Sequence, residues 1–172
     1  MEKRKKKILL GILLLLSMCL DSVVFAQDDE DTRRTLRGLR EIFLYVEPLD
    51  PQIEKMGLTR NQIQMDTESK LKLVGITVQP GKEFAKSRGH PYLYVNVNIS
   101  MLKTQITRYL FYIRIELNQD VALVRTPDVR VSAATWSAGG WGIDFSLDNI
   151  RQTVKIQVDK FINAFLVENP KE

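Results

Sequence analysis

Apolar and polar positions alternate along residues 91–124, in two runs separated by a short polar stretch. Successive side chains of a β-strand point to opposite faces of a sheet, so this period of two predicts a central β-hairpin. One face of the first run is apolar and carries Leu93, Val95, Val97, Ile99 and Met101. The other face is polar and aromatic and carries Tyr92, Tyr94, Asn96, Asn98 and Ser100.

The second run predicts an unusually long strand. Its apolar face comprises Tyr109, Phe111, Ile113, Ile115 and Leu117, and the alternation continues to residue 123. A strand of about 16 residues, each rising ~3.3 Å, would span more than ~50 Å, which is too long for one straight strand in a small domain. We therefore expect a bulge or bend near residues 118–120.

A further strand is predicted over residues 129–137, with Val131 and Ala133 on one side and Trp136 on the other. A glycine-rich stretch follows at residues 138–142. Because glycine weakens strands, this stretch predicts a mobile or tightly turned loop. Its spacing fits neither a dinucleotide-binding nor a phosphate-binding motif.

Two stretches have the period of amphipathic helices. In residues 60–74, Thr59 and Gln62 form a capping-box signature, and Gly75 stands where a helix-terminating residue belongs. Residues 147–166 carry a longer apolar stripe, which comprises Leu147, Ile150, Val154, Val158, Phe161 and Phe165.

Shorter strands are predicted at residues 41–46 and 76–78, which completes the order β-α-β-β-β-α. Both helices then have an apolar stripe to bury, and the sheet has one apolar face to receive them. We predict an α+β fold, a two-layer sandwich in which a four- to five-stranded, mostly antiparallel sheet carries two helices on one face.

The N-terminus has the three parts of a secretory signal peptide. Basic residues at positions 3–7 precede a 13-residue apolar run, and Val24 and Ala26 occupy the small-residue positions before a cleavage site at Gln27. The chain then divides into a signal peptide (1–26), a flexible leader (27–35), a single α+β domain (36–168) and a short tail (169–172). The expected location is the periplasm or the extracellular space.

Two other fates of the N-terminus remain open. Cys19 closes the apolar run where a bacterial lipoprotein would be cut and acylated, although bulky Met18 precedes it. Lipidation at Cys19 would anchor the protein to a membrane. An uncleaved signal would also do so, but 13 residues make only ~20 Å of helix against a hydrocarbon core of ~30 Å. A membrane is an expected partner in these two cases only.

Charge and composition exclude several classes of function. The full chain has 25 Lys and Arg against 21 Asp and Glu, and the balance is 20 against 19 without residues 1–26. A nearly neutral domain has no general attraction to phosphate backbones, so nucleic acid is not an expected partner. The predicted mature chain has no cysteine and one histidine, His90, which excludes Cys–His catalysis and the usual zinc sites. We expect no catalytic residue, no metal and no cofactor.

The polar face of the predicted hairpin is the candidate interaction face. Aromatic rings and amides together suit a protein or a cell-surface glycan, although antiparallel sheets ordinarily leave one face solvated. The candidate residues are Tyr92, Tyr94, Asn96, Asn98, Tyr112, Arg114, Trp136 and Trp141. The basic loop at residues 82–90 is expected to be a solvated connector.

Several short motifs resemble those of small exported bacterial proteins. They are Leu36-x-Gly38-Leu39, Val46-Glu47, Leu73-Val74-Gly75-Ile76, Tyr92-Leu93-Tyr94-Val95, Thr135-Trp136 and Asp159-x-Phe161-x-Asn163-x-x-Leu166. The layout is also similar to envelope α/β modules, such as the amino-terminal domain of the Tol-system periplasmic protein or the lipoprotein that assists lipopolysaccharide insertion. The resemblance implies an envelope location and an α+β fold, but no particular activity.

Three functions are compatible with these features. The first is a non-enzymatic envelope protein that binds another protein or a glycan through the open sheet face or an edge strand. The second is a carrier that holds a lipid or other apolar ligand between helices and sheet. The third is an enzyme without a recognisable sequence signature. The pattern favours no particular oligomeric state.

Overall fold

The computed structural model describes residues 23–84, 87–102 and 106–170, with the backbone alone for residues 23–27 and 84. Most of the predicted signal peptide, including Cys19, therefore lies outside the described residues. The elements in chain order are β1 (Val23–Gln27), α1 (Glu30–Arg34), β2 (Glu41–Val46), α2 (Pro51–Lys55), α3 (Arg60–Leu73), β3 (Thr77–Gln79), α4 (Gly81–Phe84), β4 (Tyr92–Leu102), β5 (Arg108–Leu123), β6 (Thr126–Asp144) and α5 (Leu147–Glu168).

The described strands form one sheet in the order β1-β6-β5-β4-β2-β3. β2 pairs in parallel with β3 and β4, whereas the other neighbours are antiparallel. The predicted α+β sandwich with a mostly antiparallel sheet is confirmed. The sheet has six strands rather than four to five, because residues assigned to the end of the signal peptide add β1 beside β6.

The central hairpin is confirmed, and its register runs from Tyr92 opposite Asn118 to Leu102 opposite Arg108. The predicted apolar face of β5 is buried along its whole length, from Tyr109 to Leu117. The apolar face of β4 is buried at its first three positions, while Ile99 and Met101 are partly buried. The alternation in sequence thus identifies the two faces of the hairpin.

Both predicted helices are present and pack on the same face of the sheet. The capping box of α3 is formed, since Thr59 Oγ1 accepts from the Gln62 N–H at 3.2 Å and Gln62 Oε1 accepts from the Thr59 N–H at 2.9 Å. Gly75 ends α3 with a φ of 92°, a conformation that other residues adopt with strain. α5 begins after the N-cap residue Ser146 and buries its apolar stripe against the sheet.

Ion pairs join α3 to α5 along the surface of the helical layer. Arg151 donates two hydrogen bonds to Asp66, at 2.7 and 3.0 Å, and Lys70 Nζ lies 2.5 Å from Asp159 Oδ1. Burial raises the pKa of Asp66, but the hydrogen bonds and charges of Arg151 and Lys155 outweigh it and hold that pKa below its usual range. The carboxylate therefore contributes stability in its ionised form.

The glycine-rich stretch after Trp136 continues a strand, so the predicted loop at residues 138–142 is wrong. β6 runs without interruption through it and pairs with β5 on one side and β1 on the other. A Cβ on Gly139 would lie 2.3 Å from the carbonyl oxygen of Ile113. Glycine is present here because β5 and β6 approach too closely for a side chain, and not because the chain turns.

A β-bulge lies where the sequence predicts one, although the extra residue is in the partner strand. Leu117 pairs with Trp136, but the next residue of β5, Asn118, pairs with Ala134, so Thr135 is the extra residue in β6. One extra residue reverses the alternation of side chains. Trp136 therefore lies on the same face as Val131 and Ala133, and the prediction that it lies on the opposite face is wrong.

Residues 119–134 form a two-stranded projection, here called the arm. β4 pairs with β5 only as far as Asn118, and β1 pairs with β6 only from Ser137 onward. Within the arm Val121 pairs with Val131, and these side chains continue the helix side of the sheet. Val129 and Val131 are 43% and 45% exposed, so the helices do not cover this apolar face.

The stretch predicted to be a flexible leader contains a short helix, α1. Asp29 and Thr32 form a capping box, and Asp28 accepts hydrogen bonds from Arg33 and from the indole N–H of Trp136 at 2.9 Å. The segment therefore covers the edge of the core beside the bulge. Sequence reasoning missed it because no apolar period marks so short a helix.

Candidate functional site

The open face of the sheet, opposite the helices, brings together seven of the eight predicted interaction residues. Adjacent strands place them side by side through the pairs Asn96–Arg114, Asn98–Tyr112 and Tyr112–Trp141. Tyr94 lies opposite Glu116, and Tyr92 lies at the end of the face beside Asn118. The face is therefore continuous across β4, β5 and β6.

Trp136 is not part of this face. It is fully buried on the helix side, where its ring makes an edge-to-face contact with Phe161 at 5.3 Å between centroids. The bulge at Thr135 causes this placement, because it reverses the alternation that otherwise assigns Trp136 to the open side. Trp136 is a core residue, and it is withdrawn from the candidate site.

A carboxylate organises the polar part of the open face. Glu47 follows β2, and its N–H donates to the carbonyl of Val95 at 2.9 Å, which holds it beside β4. Its Oε1 accepts from the Tyr94 hydroxyl at 2.6 Å, and its Oε2 accepts from the Asn96 amide. The Asn98 amide in turn donates to Asn96 Oδ1 at 2.5 Å. These side chains thus form one connected chain of hydrogen bonds.

Tyr94 is held in this network as a hydrogen-bond donor. Partial burial, followed by the hydrogen bond and the charge of Glu47, raises the pKa of Tyr94 to about 12. Its ring also stacks on that of Tyr45, with 6.1 Å between centroids and 11° between planes. The phenol stays protonated at neutral pH, so it is poorly suited to act as a base or a nucleophile.

A second polar group lies beside the glycines of β6. Arg114 Nε donates to Glu116 Oε1 at 2.7 Å, and Glu116 is 8% exposed. These side chains line an open depression of about 260 Å³, together with Tyr112 and the segment from Ser137 to Gly140. Because the glycines have no side chains, backbone groups of β6 form part of its floor.

The far end of the open face is apolar. The open-face patch, as we call it, consists of Leu110, Tyr112, Trp141, Ile143 and Phe145. A depression of about 400 Å³ lies within it, lined by Asn98, Ser100, Leu110, Phe111, Tyr112 and Trp141. Trp141 is 43% exposed, Ile143 50% and Phe145 61%. Arg108 lies 5.3 Å above the Phe145 ring at the border of the patch.

Sequence reasoning missed the residues around the predicted ones. Leu110 and Ile143 form a direct cross-strand pair of aliphatic side chains on the open side. The alternation contained the signal for Leu110, because that residue is out of phase with the buried Tyr109 and Phe111. The alternation of β2 similarly places Tyr45 outward, between buried Leu44 and Val46.

The basic loop is tied to the sheet at two points. Ser87 is buried and donates to Glu41 Oε1 at 2.9 Å, and His90 Nδ1 lies 2.7 Å from Asp120 Oδ2. The Asp120 N–H also donates to the carbonyl of Gly89 at 2.8 Å. The loop predicted to be a solvated connector is thus partly anchored.

Residues 23–84, 87–102 and 106–170 hold no group of three or more His, Cys, Asp or Glu side chains placed to share a metal ion. Nor does any helix within these residues combine the length and the hydropathy needed to cross a membrane.

Comparison with known proteins gives similarity at the level of structure alone. No family model matches the sequence, and no curated protein matches it significantly. The PelC dodecamer from Paraburkholderia phytofirmans matches with a TM-score of 0.50 and 13% identity, over 84% of this chain and 96% of that chain. A substituted PelC dodecamer from the same organism matches with a TM-score of 0.47 and 14% identity, over 84% of this chain and 97% of that chain.

A minor lipoprotein from Acinetobacter baumannii matches with a TM-score of 0.30 and 9% identity, over 76% of this chain and 94% of that chain. At 13% identity, the match to the PelC dodecamer speaks for the fold and not for the activity. The chain therefore shares the fold of the subunit in the PelC dodecamer.

Proposed function

We propose that this protein is a non-enzymatic exported component of the cell envelope that binds another protein through the open face of its sheet. The observation that carries the proposal is the open-face patch, where large apolar side chains are exposed next to one another on an otherwise polar face. Contiguous exposed apolar surface of this kind marks interaction sites in soluble proteins.

The composition of the patch favours a protein partner. Sugars stack on aromatic rings and otherwise need polar contacts, whereas this patch continues from Trp141 and Tyr112 onto the aliphatic Leu110 and Ile143. Exposed aromatic and aliphatic side chains with a polar rim are the usual anatomy of a protein–protein interface. The Glu47 network and the Arg114–Glu116 pair supply that rim.

The state of the polar groups supports a binding role rather than catalysis. The two carboxylates beside the patch are engaged, Glu47 by Tyr94 and Asn96 and Glu116 by Arg114. The raised pKa of Tyr94, about 12, keeps its phenol protonated. Such groups offer fixed hydrogen bonds to a partner, which is how interface rims contribute specificity.

The structural match supports the same proposal. The protein with the shared fold is a dodecamer, so that fold can present surfaces for protein–protein contact. Export is proposed from the N-terminal signal sequence, with Cys19 as the alternative point of attachment to a membrane.

A glycan partner is the second candidate, and one observation favours it. The depression beside Gly139 and Gly140 is lined by Arg114, Glu116 and Ser137 and adjoins the Tyr112 ring. Charged and hydroxyl groups next to an aromatic ring can hold a sugar. An apolar carrier function has less support, because Trp136 and Phe161 occupy the space between α5 and the sheet.

The test is site-specific photocrosslinking in producing cells. A photoreactive phenylalanine analogue replaces Trp141 on the open face or, as the control, Ile156 on the outer side of α5, which is 55% exposed. We expect a protein adduct from position 141 and none from position 156. Absence of an adduct at 141, or equal adducts at both positions, would refute the proposal. Release of bound polysaccharide from the purified protein by a glycosidase would favour the glycan candidate.

A further inference from the structure

The arm and the open-face patch are two apolar surfaces of one chain that its own helices leave exposed. We infer that the partner of the open-face patch is a second copy of this chain, whose arm lies on the patch with Val129 and Val131 facing Trp141 and Ile143. This inference rests on the proposed function, because it names the protein that the open face binds.

The placement of the two surfaces excludes contact within one chain. The patch lies at the Leu110 end of β5, on the open side, and the arm lies at the Val121 end, on the helix side. Eleven residues separate these positions along one strand, which corresponds to about 36 Å. Surfaces on opposite faces and at opposite ends can instead meet between copies, when one copy follows the next head to tail.

The area of the patch is sufficient for a specific contact. Three aromatic rings of ~200 Å² each, roughly half exposed, and two aliphatic side chains give the patch about 400–500 Å² of apolar surface. An arm that covers the patch buries a similar area of its own surface. The total is then about 1,000 Å², which is near the lower limit for a specific interface.

Pairing of two arms with each other is less favourable. It would bury only the aliphatic side chains at positions 121, 123, 129 and 131 on each copy, and it would leave the larger aromatic patch exposed. A ladder between two β6 edges would also include Pro127, which has no N–H to donate. A head-to-tail contact instead uses both apolar surfaces of every copy, and it closes into a ring or extends into a filament.

The experiment is sedimentation velocity over a concentration series, on protein purified in its processed form from producing cells. The arm variant carries Val129→Lys and Val131→Lys, and the patch variant carries Ile143→Lys. The control is Ser132→Lys, which changes the opposite face of the arm at an exposed position. Thermal unfolding of each variant verifies that it is folded.

We expect the wild-type protein and the Ser132 control to associate beyond the monomer. The arm variant and the patch variant should each associate about 100-fold more weakly, since each places an unpaired charge in the contact. An equimolar mixture of these two variants should form a dimer and nothing larger, because one intact arm and one intact patch remain.

The inference is overturned if the wild-type protein stays monomeric, if either the arm variant or the patch variant associates as well as the wild type, or if the mixture stays monomeric. These failures are distinct from failure of the proposed function. If the wild-type protein is monomeric and the photoreactive group at position 141 captures a different protein, self-association is refuted and the interaction module stands. If position 141 captures no protein, the proposed function fails as well.

Discussion

Gly139→Ala should destabilise the protein by about 3 kcal/mol, because the new methyl group would collide with backbone. Its Cβ would lie 2.3 Å from the carbonyl oxygen of Ile113, whereas non-bonded heavy atoms prefer separations of ~3.5 Å. β5 and β6 must move apart by about 1 Å to relieve the contact. Overpacking costs ~1–3 kcal/mol in general, and a rigid carbonyl in the middle of a sheet favours the upper end of that range.

The measurement is equilibrium unfolding in guanidinium chloride, followed by tryptophan fluorescence. For a domain of this size a loss of ~1 kcal/mol lowers the melting temperature by ~2–4 °C, so thermal unfolding should show a decrease of about 6–12 °C. Gly142→Ala is the matched control. Its Cβ would meet the ring of Phe111 at 2.8 Å, and a side chain can rotate away, so we expect a loss of about 1 kcal/mol.

A glycine in a loop would give the opposite sign. Where the native conformation admits alanine, the substitution stabilises a protein by ~0.4–1 kcal/mol, because it restricts the unfolded chain. If Gly139→Ala left the stability unchanged or raised it, the uninterrupted strand β6 would be refuted and the loop predicted from the sequence would stand. If Gly142→Ala cost as much as Gly139→Ala, collision with the Ile113 carbonyl would not be the source of the loss.

Two further predictions concern the core and the helical layer. Trp136→Ala should lower the free energy of unfolding by about 3–5 kcal/mol and Trp141→Ala by less than ~1 kcal/mol, because only the first opens a buried cavity. Urea unfolding measures both, and similar losses would contradict the assignment of the two faces. The pKa of Asp66 is lower in the folded than in the unfolded protein, so its carboxylate stabilises the fold fully at a pH above the unfolded-state pKa of ~3.9. This stabilisation is lost as the pH falls through the folded-state pKa. The stability difference between wild type and Asp66→Asn should therefore shrink from pH 7 to pH 3, and a difference independent of pH would exclude the Arg151 pair as its source.

The elements with a clear period could be predicted from the sequence, because local pattern and tertiary packing agree there. The hairpin, α3 and α5 each bury the face that their apolar residues mark. The course of β6 could not be predicted in this way. The close approach that requires Gly139 involves Ile113, a residue distant in sequence, and glycine alone suggests a turn.

The positions of the candidate residues could be predicted in outline, and the errors have two physical origins. A period of two assigns faces correctly only while the register is regular, and the bulge at Thr135 adds a residue between Ala134 and Trp136. The exposed aliphatic pair Leu110–Ile143 was missed because the continuation of β6 past the glycines was not foreseen. Where the register was regular, as along β4, the polar face was identified correctly.

The position of β1 gives a structural meaning to the place where the predicted signal peptide would be cut. Cleavage before Gln27 would remove four of the five residues that pair with β6, and the backbone of residues 138–141 would lose its neighbour. Cleavage at Cys19 would leave the strand in place. An unpaired edge is a template for strand addition, and residues 138–141 would present one. The site of cleavage would thus decide whether this edge of β6 stays paired or is left free for a strand of another chain to add to it.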